Sequence, residues 1–229
     1  MGFYDDWEKC IDSNYDDSYY INSFLYKSSD SIEPLYNSSK KHIKKVIEFL
    51  VNYDKSKILD LIDRQHQKLL QPSDVAQFSN FEKSTDELTH ILVYEENGLT
   101  FEDLGYLLIK APTKMAATKY GENQSKTAKI FELVSFSTSR PIEVTNTSLG
   151  NEFPYLDDET KMRLLSILVL RDPVVIRFIC EAKYKVINYK DILNCLSNST
   201  RERRKSNIKR LIELAFYEEK KEYKNNIEI

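Results

Sequence analysis

Apolar residues recur at intervals of three and four through most of this chain, with polar residues between them. That period lays one apolar stripe along a helix. It predicts a helix over 38–53, with Ile43, Val46, Ile47 and Leu50 inward, and a second over 55–71, through Ile58, Leu61, Ile62, Leu69 and Leu70, ending before Pro72. From residue 84 the pattern becomes modular. A helix over 85–96 turns Leu88, Ile91 and Leu92 inward and stops at Gly98, where glycine suits a left-handed backbone. Thr100 to Asp103 has the form of a capping box, and Leu104, Leu107 and Leu108 follow as the buried face of its helix. A connector over 111–121 leads to a helix over 122–134 with Ile130, Phe131 and Val134 at its apolar end. Alternating β-branched residues (Ile142, Val144, Thr145, Thr147), with Gly150 beyond them, predict a strand and turn over 140–153.

A similar order follows. A helix over 158–170 carries Met162, Leu165, Ile167, Leu168 and Leu170. Asp172 and Pro173 form a strong helix start, a capping side chain followed by a residue preset for the first turn. That helix runs through Val175, Phe178, Ile179 and Ala182. A short helix over 188–196 and a long one over 199–216 come next, and the charged tail 217–229 reads as a hairpin-like ribbon. Helix, turn, short helix, polar helix, strand pair is the order of a winged helix-turn-helix. The expected fold is therefore mainly α with short β-wings: an acidic arm and helical region (1–83) followed by two winged helix-turn-helix units (84–157 and 158–229).

Composition agrees with a helix-rich chain. Among 229 residues, 41% are hydrophobic, enough for a substantial core, and only five are glycine and six proline. The longest apolar run, 164–170, is too short to span a bilayer, and the acidic, aromatic start is unlike a leader. Cys10, Cys180 and Cys195 have no paired spacing, which suggests a reducing compartment. A cytoplasmic protein without a membrane association is expected.

Charge sharpens the picture. Residues 1–36 carry a net charge of −6 and residues 183–210 a net of +7, within a chain of net −3. The acidic segment reads either as a solvated arm or as a segment that binds a partner or the basic face. The basic residues concentrate on 197–210, where Arg201, Arg203, Arg204, Lys205, Lys209 and Arg210 face only Glu202 as an opposing charge, with Lys190 just upstream. A local basic helix on an acidic chain points to a polyanion. At about 100° per residue, Ile208, Leu211, Ile212 and Ala215 share one face. The opposite face carries Glu202, Arg203, Ser206, Arg210 and Glu213, flanked by Asn207 and Lys209. Arg203, Ser206 and Asn207 are the candidates for base edges. Arg201, Arg204, Lys205, Lys209 and Arg210 are the candidates for phosphates. A weaker parallel lies on the earlier helix, where Asn123, Gln124, Lys126 and Lys129 are equally ordinary as helix-surface residues. The Thr- and Asn-rich stretch 144–148 is the expected wing of that unit.

The blocks KYGENQSKTAKIFELVSF…IEVTNTSLG and LLSILVLRDPVVIRFICEAKYKVINYKDILNCLSNSTRERRKSNIKRLIELAF resemble the tandem winged-helix recognition regions of restriction endonucleases that read and cut with separate domains. The resemblance covers about 84–229 and is one of pattern. It implies sequence-specific recognition of double-stranded DNA without a target site.

Catalytic chemistry is less well supported. Asp172, Glu181 and Lys183 have the letters of a Mg-dependent nuclease, in which two acids hold the metal. That arrangement needs the glutamate and lysine on a strand, whereas Val175, Phe178, Ile179 and Ala182 give helical spacing. His42, His66 and His90 are far apart, with no second ligand near. There is no phosphate-binding glycine loop. The expectation is a non-enzymatic, cofactor-free and metal-free DNA-binding protein, either the recognition component of a bacterial restriction-modification system or a transcriptional regulator. Its expected partners are double-stranded DNA, a nuclease or methyltransferase on another chain, and a second copy of itself. The alternative is a winged-helix adaptor between proteins; a nuclease is the least favoured class.

Overall fold

The computed structural model describes residues 40–62, 69–95 and 97–229. The acidic segment 1–36, Cys10 and His66 lie outside the described residues. The described chain is mainly helical with a few short strands. It divides into two compact units, and the division is not the one expected from sequence. One unit holds residues 40–45 and 76–161, here called the central unit. The other is discontinuous and holds 46–62, 69–75 and 162–229. Residues 46–62 and 69–75 thus join the C-terminal third of the chain rather than an N-terminal region of their own.

Helix α1 (Lys40–Asn52) enters both units, and α2 (Lys55–Leu61) belongs to the discontinuous one. The central unit continues with a turn of π-helix (Lys83–Glu87) running into α3 (Leu88–Leu92), then β1 (Leu99–Thr100) and α4 (Phe101–Ile109). Next come α5 (Lys114–Ile130), β2 (Val134–Phe136), β3 (Glu143–Asn146) and the short α6 (Ser148–Glu152). The strands form an antiparallel sheet in the order β1-β3-β2, with Leu99 opposite Val144 and Ser135 opposite Thr145. Thr100 caps α4 with the expected box: its hydroxyl accepts from the Asp103 N–H at 3.2 Å, and Asp103 accepts from the Thr100 N–H at 3.3 Å. Leu88, Leu104, Ala117, Phe131, Val144 and Phe153 are fully buried in this unit's core.

Three expectations fail here. Residues 114–121 of the expected connector are the first two turns of α5, capped by the Thr113 hydroxyl, which accepts from Ala116 N–H at 3.2 Å. Gly121 looked like a break but sits inside the helix, where its missing side chain admits α4: a Cβ there would fall 1.9 Å from the Phe101 carbonyl oxygen. Leu107 is exposed, because Leu104, Gly105 and Leu108 define the buried face of α4. Thr147 does not extend the strand. Its hydroxyl accepts from Gly150 N–H at 3.0 Å and opens α6.

The discontinuous unit gathers α2 with α7 (Asp158–Leu168, from residue 162 on), α8 (Pro173–Ala182), β4 (Ile187–Asn188), α9 (Tyr189–Ile192) and α10 (Asn198–Ala215). A 3₁₀ turn (Glu222–Asn226) leads to β5 (Ile227–Glu228). Asp172 starts α8 as expected, accepting from the N–H groups of Val174 and Val175 at 2.9 Å each. Glu181 and Lys183 therefore lie on or at the end of a helix, and Glu181 pairs with Arg177 at 3.3 Å. The expected C-terminal hairpin is absent from the described residues. Instead β5 pairs with β4 in parallel, Ile187 opposite Ile227. Strands that are neighbours through a tight turn must run antiparallel, so the charged tail 217–229 cannot be a wing of that kind.

Two lysines, Lys183 and the buried Lys55, tie the early segment to the later one. Lys183 donates to the carbonyls of Asp60 and Ile62 at 3.0 and 2.6 Å, satisfying the open C-terminal end of α2. Lys55 is 7% exposed and donates to Ser166 Oγ at 3.2 Å and to the Tyr217 carbonyl.

Candidate nucleic-acid interface

Helix α10 is placed by its apolar residues. Ile208, Leu211, Ile212, Leu214 and Ala215 are all buried, and the helix packs against α8. Four of these five were expected inward from sequence. The exposed side carries Glu202, Arg203, Ser206, Lys209 and Glu213, with Arg210 partly exposed.

Its cationic residues then separate into groups by their partners. Among the described residues, Arg203 and Lys209 form no ion pair and stand in solvent. Arg201 is tied down beside the helix start, donating to the Lys190 carbonyl at 2.8 Å and to Asn198 Oδ1. Lys205 lies with its Nζ 5.0 Å from the centre of the Tyr189 ring, and Lys190 lies 5.8 Å from the same ring. The Tyr189 hydroxyl donates to Glu202. That bond holds the Glu202 carboxyl below its ordinary range, helped by Lys190 and Lys205, and raises the Tyr189 phenol. Tyr189, Lys190, Glu202 and Lys205 line a shallow cavity of about 390 Å³ together with Asn188, Glu228 and Ile229.

Two of the residues expected on this surface are structural. Arg204 turns inward and donates to the backbone carbonyls of Pro72 and Val75, at 3.0 and 2.6 Å. Asn207 is 5% exposed and is not available to a base edge. The error for Asn207 came from leaving Leu214 out of the apolar face. Leu214 is buried, and it widens that face until Asn207 falls within it; Arg204 already lies on the buried side by angle, and it turns inward rather than extending past the core to a phosphate.

On α5 the expected residues are also sorted by burial. Gln124 is fully buried, its amide donating to Ser79 Oγ at 3.0 Å and its carbonyl accepting from the Ser84 hydroxyl. It is a core residue, not a reader. Asn123 is half-buried. Lys126 and Lys119 share one acid, Glu122, at 2.6 and 2.8 Å, and their hydrogen bonds hold its carboxyl below the ordinary range. Lys114 pairs with Glu102 at 2.8 Å, and Lys129 sits over the Phe136 ring at 4.8 Å. Each exposed lysine of α5 therefore lies beside an acid, while Arg203 and Lys209 on α10 form no ion pair among the described residues. Arg140 is exposed in the segment joining β2 to β3.

Among the described residues, no group of histidine, cysteine, aspartate and glutamate side chains is placed to hold a metal ion. No described helix is long and apolar enough to cross a membrane. No known family, curated protein or solved structure matches this chain.

Proposed function

We propose that this protein binds double-stranded DNA through α10, with the N-terminal half of that helix in the major groove. The observation that carries this function is the arrangement of α10 itself. Its apolar side is seated in the discontinuous unit, and Arg203, Ser206 and Lys209 are presented outward, with Arg203 and Lys209 in no ion pair among the described residues. The succession α8, α9, α10 has the order of a helix-turn-helix, in which the second of the two helices at the turn enters the groove. Arg203 is the candidate for a guanine, through its two-pronged guanidinium, and Ser206 is its neighbour one turn on. Lys205, Lys209 and Arg210 are the candidates for phosphates, which position a protein on the duplex without reading sequence.

The central unit supports the same class. Its order, α3-β1-α4-α5-β2-β3 with the sheet in the order β1-β3-β2, is that of a winged helix-turn-helix, the segment between β2 and β3 forming the wing. In the discontinuous unit the order α8, α9, α10 supports a helix-turn-helix, and among the described residues no antiparallel strand pair follows α10. The setting proposed is recognition in bacterial DNA defence or transcription control, with any cutting or methylating activity on a separate chain.

A second function is favoured by one observation on the central unit. The charges of α5 are paired locally, while Leu107, Ile109 and Met115 are 56%, 40% and 81% exposed on α4 and α5. A partly apolar helix pair whose exposed lysines lie beside acids suits an adaptor surface for another protein better than it suits DNA.

Fluorescence anisotropy of a labelled random 30-base-pair duplex separates the two. Binding that weakens steeply with salt, and is lost in Arg203→Ala with Lys209→Ala while the folded fraction is unchanged, is the expected result. Absence of binding by the unaltered protein at low salt would refute the DNA function.

A further inference from the structure

We propose that the acidic segment 1–36 docks on the outward face of α10 and competes there with nucleic acid. The docking half rests on charge and reach alone; the competition half rests on the DNA function proposed above.

The discontinuous unit has a cationic surplus that it does not neutralise. On α5 each exposed lysine finds a carboxylate close by: Lys114 has Glu102, and Lys119 and Lys126 have Glu122. On α10 the only acid inside the basic stretch, Glu202, is engaged by Tyr189 and lies 3.8 Å from Lys190. Among the described residues, Arg203 and Lys209 are left with no ion pair. The chain as a whole is acidic, and its largest uncompensated negative charge is the segment 1–36, with eight acids against Lys9 and Lys27. A net of −6 there answers a net of +7 over 183–210.

The composition of the segment suits this face in a second way. Tyr15, Tyr19, Tyr20, Phe24 and Tyr26 are interspersed with the acids. An arginine such as Arg203 is attracted both to a carboxylate and to the face of an aromatic ring. A segment that carries both acids and rings offers an arginine what phosphate and base offer it on a nucleic acid. Reach is no obstacle. The described chain begins at Lys40, and about 39 extended residues span roughly 130 Å, several times the radius of a domain of this size.

A tethered segment acts at an effective concentration in the millimolar range, so even a weak contact competes measurably with a ligand in solution. The expected effect on DNA affinity is correspondingly modest, about two- to tenfold.

Two measurements on the full chain test this. Carbodiimide joins carboxylates to lysine amines only where they touch, and mass spectrometry locates the bonds. Crosslinks from acids within 1–36 to Lys205 or Lys209, lost in 1 M salt, are expected; their absence would overturn the docking. The variant Asp5→Asn, Asp6→Asn, Asp12→Asn, Asp16→Asn, Asp17→Asn is expected to bind the labelled duplex about two- to tenfold more tightly than the unaltered chain. Equal affinity would overturn the competition. Crosslinks together with no DNA binding by either protein would refute the DNA function and leave the docking standing.

Discussion

The guanidinium of Arg204 donates to the backbone carbonyl of Val75 at 2.6 Å, while Arg203, its neighbour in sequence, stands in solvent. Adjacent residues of one helix point about 100° apart, so one arginine can be structural and the next available. Arg204 also takes the Pro72 carbonyl at 3.0 Å. Removing a charged donor from the part-buried Val75 carbonyl costs about 1–3 kcal/mol. Arg204→Ala is therefore expected to lower the melting temperature by several degrees, and Arg203→Ala to leave it within the small range of surface substitutions. DNA affinity should respond in the opposite sense: Arg203→Ala weakens binding in proportion to a lost contact, and Arg204→Ala weakens it only as far as it loosens the fold. Thermal melts paired with anisotropy on both variants check this. Equal melting temperatures would contradict the inward orientation of Arg204.

Salt dependence gives a count of phosphate contacts. If Lys205, Lys209 and Arg210 each neutralise one phosphate, the slope of log K against log salt is about −3. Lys209→Gln should then reduce the slope by about one unit, equally on every duplex sequence. Arg203→Ala should instead flatten differences among sequences. A slope near zero would mean that α10 does not meet phosphates at all.

Gly121 shows what the sequence could and could not convey. Periodicity located most helices, because an apolar stripe must be buried whatever surrounds it, and the caps at Thr100 and Asp172 were legible because their chemistry is local. The start of α5 was not. A glycine in a polar stretch reads as a break, and only the packing of α4 on α5 shows why it is inside a helix. The same limit explains Gln124 and Asn207, polar residues whose burial is decided by partners distant in sequence: Gln124 is held by Ser79 and Ser84. The parallel pairing of β4 with β5 was equally hidden, since it joins residues 40 positions apart.

A methyl group at Gly121 tests that packing. Its Cβ would lie 1.9 Å from the Phe101 carbonyl oxygen and 3.0 Å from the Gly105 backbone nitrogen, so α4 and α5 must move apart. Alanine is favoured over glycine in a helix by up to about 1 kcal/mol. Overpacking against backbone costs about 1–3 kcal/mol and wins where no side chain can yield. Gly121→Ala is expected to destabilise the protein, read as a lower urea midpoint. A higher midpoint would show that the helices do not approach so closely.

Lys55 makes stability depend on pH. Burial lowers its pKa to about 8, against the opposing pull of Glu219 and Glu218. In the unfolded chain the amine has its ordinary value of about 10.4. Between these values the unfolded chain holds the proton and the folded chain does not, so stability rises with pH from about 8 to about 10. Below about pH 8 the amine is charged in both states and the full cost of burying that charge is present. Tyr223 works the other way at higher pH: burial raises its phenol above the ordinary value, so stability falls as the unfolded chain begins to lose that proton near pH 10. Urea unfolding at pH 7, 8, 9 and 10 should show the rise in the unaltered protein and a smaller one in Lys55→Met. The same rise in both would mean that the Lys55 amine stays protonated in the folded chain across this range.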